Sequence, residues 1–450
     1  MVPMLLKFIQ FNISSLLLNV FIYPSVSSVI IENLPPPENP FFAKEQKLLN
    51  PFRTTLNQAL TCGQLIASRG FQFERHFVTT VDGYILQFQR IINPYAKAAR
   101  GRSLKPILVI HGAPTSCSSF MINGPGGHIQ EWINGNPPND TSKSLAFALA
   151  NREFDVWLGN NRGTTYSLNH TSLNPYKDRQ FWDFTFVDMA MYDIPAMVDY
   201  MIQETGHEKI VWIGYSQGAI LMPVLLAKYP EFAHKLDLNI NVAPIAFYGD
   251  PNGIANLVPR ARFLLKIASI YQGPVIPFLP VLDAITSILC TSNILNPICF
   301  EIYNYLFGPD RPMVSRDQIK ELLSQVDQTS FKNALHVLQS INFDQIREYD
   351  YGPLKNLQLY GSIEPPVFPF ENIPTYNLVL ISGLNDYLAP PKNVQKLRNI
   401  LRGPPLVDYV VPWPLWSHTD ILLADEAFYL MHNVIIEIIR KYGEDIEVSL

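Results

Sequence analysis

The chain has 450 residues, 48% of them hydrophobic and 16% charged, with a net charge of −5 at neutral pH. That is enough apolar material for one large domain or two. The mildly acidic balance and the lack of a long basic run argue against nucleic acid as a partner, because such binding needs a concentrated positive surface.

From the N-terminus, no charged residue appears between Lys7 and Glu32, and the apolar stretch there ends in Ser25-Val26-Ser27-Ser28. A single positive charge, a short apolar run and small residues at the cleavage spacing predict a secretory signal over 1–27, cut after Ser27. The uncharged stretch is also long enough to cross a bilayer, so an uncleaved membrane anchor is the alternative. Pro24 and the serines favour cleavage. Residues 28–60, with "ENLPPPENP", read as an extended linker.

Residues 73–80 and 84–91 are strand-like and are joined through Val81-Asp82-Gly83, an Asp-Gly hairpin signal. The second run alternates apolar residues with Ile85, Gln87 and Gln89, a half-polar pattern that suits an antiparallel edge. The later runs "PILVI" (106–110), "FDVWL" (154–158), "IVWIG" (210–214), "LNINVA" (238–243), "NLVLIS" (377–382) and "VDYVV" (407–411) are mostly continuous and apolar. Runs of that kind belong to parallel strands buried on both faces. Helical patterns at 143–151, 188–204, 217–228 and 391–401 lie between them, and 424–441 reads as a closing amphipathic helix. Strands alternating with helices give an α/β fold with a covered parallel sheet. The interval 247–370 breaks the rhythm, is unusually apolar and is expected to be an inserted, mainly helical cap or lid. The core is then 61–246 and 371–450. An apolar insertion over a catalytic face makes a water-poor site.

Four cysteines occur, Cys62, Cys117, Cys290 and Cys299. The close pair Cys290 and Cys299 suits a bridge over a small loop in an oxidising compartment, contributing about 2–3 kcal/mol. The alternative is four free, buried thiols. Asn139 and Asn169 head glycosylation sequons, meaningful only in a secreted chain. No spacing suggests a metal site, and no cofactor is expected.

The chemistry concentrates at Gly214-Tyr215-Ser216-Gln217-Gly218. An apolar strand precedes this G-x-S-x-G and a helical pattern follows it, the setting a nucleophile elbow requires. Ser216 is the candidate nucleophile. In this architecture the acid and then the histidine follow in the chain. Asp386 and Asp250 both follow predicted strands, and Asp386 is preferred because Asp250 lies where the insertion begins. His418, in "WSHTD" before the last helix, is the candidate general base. His111 lies near the same face but in a different role. The backbone N–H groups of Gln217 and of Ala113, after "PILVIHG", are the candidate oxyanion donors, since Pro114 has none to give.

The blocks "ILVIHGAPTS", "FDVWLGNNRGTTYS", "FWDFTFVDMAMYDIPAMVDY", "IGYSQGA", "NVAPIA", "ISGLNDYLAPPKNV" and "WSHTDILLADEA" resemble, in order, the acid lipase family of α/β-hydrolases. The resemblance spans roughly residues 60–445. It implies an α/β-hydrolase fold with a mostly parallel eight-stranded sheet and a cap carrying a lid. It also implies Ser216, Asp386 and His418 as triad, Gln217 and Ala113 as oxyanion donors, and Cys290–Cys299 as the cap disulfide. The implied substrates are neutral lipid esters, acylglycerols or sterol esters, at a lipid–water interface, and the implied location is secreted or lysosomal. A membrane-anchored sterol ester hydrolase and a non-catalytic lipid-binding protein are the alternatives. The sequence departs from the family pattern at Tyr215 (usually His), Ala113 (usually Leu) and Ser417 (usually Asn). An extra segment near 121–140 is expected to alter access to the site.

Overall fold

The computed structural model describes residues 60–100, 103–247, 272–275, 290 and 296–443. The expected signal or anchor over 1–27, nearly all of the linker 28–60, Asp250 and much of the first half of the insertion lie outside these residues.

Among the described residues the strands are β1 (Gln72–Thr79), β2 (Tyr84–Ile92), β3 (Lys105–Ile110), β4 (Phe154–Gly159), β5 (Asn169–His170), β6 (Ile210–Tyr215), β7 (Leu236–Val242), β8 (Leu378–Ser382) and β9 (Val407–Val410). They form one sheet in the order β1-β2-β4-β3-β6-β7-β8-β9, with the two-residue β5 added to β2. The pairs from β4 through to β9 are parallel, and β1–β2 and β2–β4 are antiparallel. The expected eight-strand, mostly parallel path is therefore present, and β5 is a short ninth strand.

Successive side chains of a strand point to opposite faces, so a run apolar at every position must be covered twice. Ile107, Val109, Val211, Ile213, Val379 and Ile381 pack into one core, together with Ile435, Ile436 and Ile439 of the last helix, Asn433–Tyr442. Their neighbours Leu108, Ile110, Trp212, Leu378 and Leu380 pack into a second core on the other face, against the helices Ile194–Thr205 and Gly218–Lys228.

Two local expectations are corrected. The alternation in β2 is not that of an edge: β1 is the edge, and Gln87 and Gln89 are buried. The loop after β4 meets the Gln87 backbone, whose N–H donates to Ser167 Oγ (3.1 Å) and whose carbonyl accepts from Asn160 Nδ2 (3.1 Å), and Gln89 lies opposite Leu158 of β4. The helix expected at 188–204 is interrupted by a π turn, Met189–Asp193. Pro195 has no N–H to continue the ladder at that point, and such a break is a usual cause of a π turn. The extra segment near 121–140 begins beside the insertion, where Asn123 donates to the Ala424 carbonyl (3.0 Å) and accepts from Gln318 Nε2 (3.3 Å), and then runs away from it. Its Trp132 packs with Ala96 and Leu104, beside the start of β3 and so at the end of the sheet opposite Ser216.

Between β7 and β8 runs the inserted segment, whose described helices are Asn296–Phe307, Arg316–Leu323, Phe331–Phe343 and Pro353–Tyr360. Ser315 caps the second and Ser330 the third with their hydroxyls. Ser330 also donates to the carbonyl of Phe184 in the core. Two disulfides occur: Cys290–Cys299 inside the insertion, and Cys62–Cys117, which ties the first described helix to the loop after β3. The pairing of Cys62 and Cys117 was open at the level of sequence.

Candidate active site

Four loops at the C-terminal ends of β3, β6, β8 and β9 carry the residues singled out above. This is where an open α/β sheet gathers its ligand-binding loops. At the end of β6 the chain turns sharply, and Ser216 has φ +56°. A non-glycine residue in the left-handed region is strained and persists only where the surroundings enforce it. The flanking glycines provide the enforcement. A Cβ on Gly214 would lie 2.5 Å from the Gly218 carbonyl oxygen, and one on Gly218 would lie 2.5 Å from that of Ile110. Strand, turn and helix are pressed together at the backbone, and Ser216 is the residue left projecting.

His418 Nε2 lies 2.8 Å from Ser216 Oγ. Its Nδ1 faces both carboxylate oxygens of Asp386, at 3.0 and 2.9 Å. Asp386 is itself oriented, because its Oδ1 accepts the backbone N–H groups of Leu388 (2.8 Å) and Ala389 (2.7 Å). All three side chains are buried. The structure thus brings Ser216, His418 and Asp386 into one hydrogen-bonded line from residues far apart in the chain. Among the described residues the other buried histidines, His111, His336 and His432, hydrogen-bond to backbone groups rather than to a carboxylate. His111 lies between the Gly112 carbonyl and the Asn161 N–H, and burial holds it below the usual imidazole range. Burial lowers His336 to about 3 and His432 to about 4, so both are neutral at physiological pH.

Gln217 stands at the N-cap of the helix Gly218–Lys228, where a backbone N–H has no partner within the helix ladder. Ala113 belongs to a turn closed by the Thr115 N–H on the Gly112 carbonyl (3.1 Å). That turn lies against Ser216, since a Cβ on Gly112 would stand 2.8 Å from Ser216 Cβ. Ala113, Ser216 and Gln217 line one cavity of about 440 Å³. Its other walls are mostly apolar: Phe186, Ile220, Leu306, Phe307, Val337, Leu338, Ile341 and Ile346, several of them from the insertion.

The departures from the family pattern have local partners. Tyr215 donates its hydroxyl to the His418 carbonyl (3.1 Å), and burial first, then the Asp386 carboxylate, push that hydroxyl well above the usual tyrosine range. Ser417 donates its backbone N–H and its hydroxyl to Asp420, each at 2.6 Å, which fixes the loop carrying His418. Burial pushes Asp420 well above its ordinary value, with the nearby carboxylate of Asp310 adding to it, and burial raises Asp310 of the insertion as well.

The insertion supplies contacts that sequence reasoning missed. The Phe307 carbonyl accepts the backbone N–H of both His418 (3.2 Å) and Tyr387 (3.4 Å). The Asp327 N–H donates to the Pro114 carbonyl (2.9 Å), beside Ala113, while its carboxylate accepts from Thr165 N and Oγ1 (2.9 and 2.7 Å). Asn333 Nδ2 donates to Gln217 Oε1 (3.0 Å). None of these residues stands in a recognisable spacing, so no local signal marks them. Beside the site, fully buried Arg162 is held by Asp193 and Asp82 in charge-assisted bonds of 2.6–3.0 Å. Burial opposes its charge, but the two carboxylates outweigh it and hold the guanidinium above its ordinary value. This cluster explains the "NNRG" and "YDIP" blocks as a structural lock joining the β1–β2 turn, the loop after β4 and the π turn. Asn139 and Asn169 are exposed. Among the described residues, no group of three or more His, Cys, Asp or Glu side chains comes together as metal ligands.

Comparison with known proteins agrees with this architecture. Residues 62–124 match a family model described as a partial alpha/beta-hydrolase lipase region, and residues 105–238 match the alpha/beta hydrolase fold. Lipase 3 of Drosophila melanogaster is 30% identical over 393 residues, covering 85% of this chain and 93% of that protein. A Crotalus adamanteus protein with the provisional name lysosomal acid lipase/cholesteryl ester hydrolase is 30% identical over 390 residues, covering 85% and 91%. Lipase member N of Homo sapiens is 28% identical over 392 residues, covering 85% and 92%. The chain belongs to the acid lipase family of α/β-hydrolases and is a carboxylic ester hydrolase.

Proposed function

We propose that the chain cleaves carboxylic esters of neutral lipids, triacylglycerol or cholesteryl ester, through an acyl-enzyme on Ser216. His418 takes the proton from Ser216 Oγ as that oxygen attacks the ester carbonyl, and Asp386 orients the imidazole and stabilises its cation. The N–H groups of Gln217 and Ala113 receive the oxyanion. His418 then protonates the departing alcohol. A water molecule, activated by the same imidazole, releases the fatty acid.

The observation that carries this reading is the 2.8 Å contact between His418 Nε2 and Ser216 Oγ inside a largely apolar cavity. Two further features support a lipid rather than a small polar ester: the apolar walls, and the cap role we assign to the insertion at 247–370. The test is release of fatty acid from triolein and cholesteryl oleate by the purified protein, beside Ser216→Ala. The variant is expected to lose about 10⁶-fold in kcat, and equal activity in the two proteins overturns the assignment. Retained fluorophosphonate labelling in Ser216→Ala would do the same.

For location, we infer the secretory pathway, ending outside the cell or in the lysosome. Two disulfides suit an oxidising compartment, and the exposed Asn139 and Asn169 are open to glycosylation. No described helix is long and apolar enough to cross a membrane. N-terminal sequencing of the mature protein distinguishes the cleaved form, starting near Ser28, from an anchored one.

A further inference from the structure

Behind the ester cavity lies a second one of about 360 Å³, walled by Phe247, Phe368, Phe370 and Ile400 and opening past Val367 and Glu371. Val367 is 46% exposed, so this cavity reaches solvent. Ile346 lines both cavities. Its side chain is buried, and its carbonyl accepts the Phe368 N–H at 3.2 Å, which pins the partition to the floor of the second cavity.

Volume and direction decide what such a partition does. A cavity of about 440 Å³ falls within the range of about 300–1,000 Å³ that houses a single compact ligand. A long-chain lipid ester therefore needs additional space. The leaving alcohol must lie beside His418 Nε2 to be protonated, on the side where Phe307 stacks with the imidazole at 6.3 Å. Phe307 packs against the first core, whereas Ile346 belongs to the second, with Phe247, Phe368 and Phe370. The partition thus stands on the side away from the leaving group.

We infer that Ile346 sets the acyl-chain length, with chains that outgrow the first cavity passing it into the second. The inference rests on the ester-cleaving reading above. Each methylene that gains burial is worth about fourfold in kcat/KM, so the partition is read directly in a chain-length profile.

The experiment compares kcat/KM for p-nitrophenyl butyrate, octanoate, palmitate and stearate in the wild type, Ile346→Ala, Ile346→Trp and Val367→Trp. Each profile is normalised to that variant's own butyrate rate. Opening the partition in Ile346→Ala is expected to raise the palmitate-to-octanoate ratio several-fold, and blocking it in Ile346→Trp to lower the ratio by about tenfold or more. Val367→Trp plugs the second cavity from its exposed mouth with Ile346 intact, so it guards against misfolding of the core variants, and it is expected to lower the stearate rate most. Superimposable profiles in all four proteins overturn the inference. If the wild type turns over no ester, the ester-cleaving reading fails separately. Displacement of bound parinaric acid by the corresponding free fatty acids then gives the length dependence, and equal displacement curves in all four proteins overturn the inference.

Discussion

Ser216 and Asn333 face the same cavity, but they are held there by different means. Ser216 projects from a turn whose two glycines touch backbone on either side, so strand and helix geometry alone fix it. Asn333 stands on a helix of the insertion and meets the core through side-chain hydrogen bonds, to Gln217 and from the capping Ser330 to Phe184. The sheet half of the site is built from main-chain packing. The cap half is attached at separate points, such as Asp327, Asp310 and Phe307. Damage to the first should appear as lost stability, and damage to the second mainly as lost turnover.

The sharpest way to break this contrast lies in the core. Arg162→Met leaves Asp193 and Asp82 without their buried cation, and a loss of about 3–5 kcal/mol in urea unfolding is expected. A loss under about 1 kcal/mol would mean the lock is not structural. The disulfides give a paired comparison. Cys62–Cys117 closes a loop of 55 residues, and in the chain-entropy model its removal by a double Ser substitution costs about 4 kcal/mol. Removing Cys290–Cys299, with a separation of 9, costs about 2–3 kcal/mol. Equal losses would remove the distinction. On the cap side, Asp327→Ala removes the carboxylate that accepts from Thr165 and so loosens the segment whose backbone N–H holds the Pro114 carbonyl. We expect about a tenfold fall in kcat, a fraction of what a full oxyanion donor contributes, with KM little changed.

The smallest effect is in pH dependence. Asp310 and Asp420 are both raised by burial. The folded state therefore holds a proton at this pair more tightly than the unfolded chain does. The stability it contributes is fully present below about pH 4, the ordinary carboxylate value, and is lost as pH rises through the pair's raised value. In Asp310→Asn the amide donates to Asp420 at any pH. The fall of stability with pH across that window should flatten by up to about 1.4 kcal/mol per pH unit, as measured by thermal unfolding in a buffer series.

The contrast between main-chain and side-chain attachment also explains what the sequence made legible. Continuous apolar runs located β3, β4, β6 and β8, because burial on both faces leaves no polar alternation; β7 instead carries buried Asn239 and Asn241, and β9, expected to be covered on both faces, is an edge strand with every second residue exposed. The G-x-S-x-G glycines marked Ser216, since their lack of a side chain is itself the packing requirement. Asp386 and His418 followed from their positions after strands. Gln87 and Gln89 misled because β2 is an inner strand, flanked by β1 and β4, and both side chains are buried. Cys62 and Cys117 carry no spacing that announces their bond. Asp327, Asn333 and Phe307 act across more than a hundred positions, through groups that leave no local pattern.

The carbonyl of Phe307 accepts the main-chain N–H of His418 and that of the residue after Asp386. An element that looks exchangeable is thereby part of the alignment of His418 with Asp386. Grafting a roof from a relative to alter substrate range should leave turnover intact only when the donor peptide presents an oxygen at that spot. Excising the roof altogether should yield a well-formed sheet with an idle imidazole.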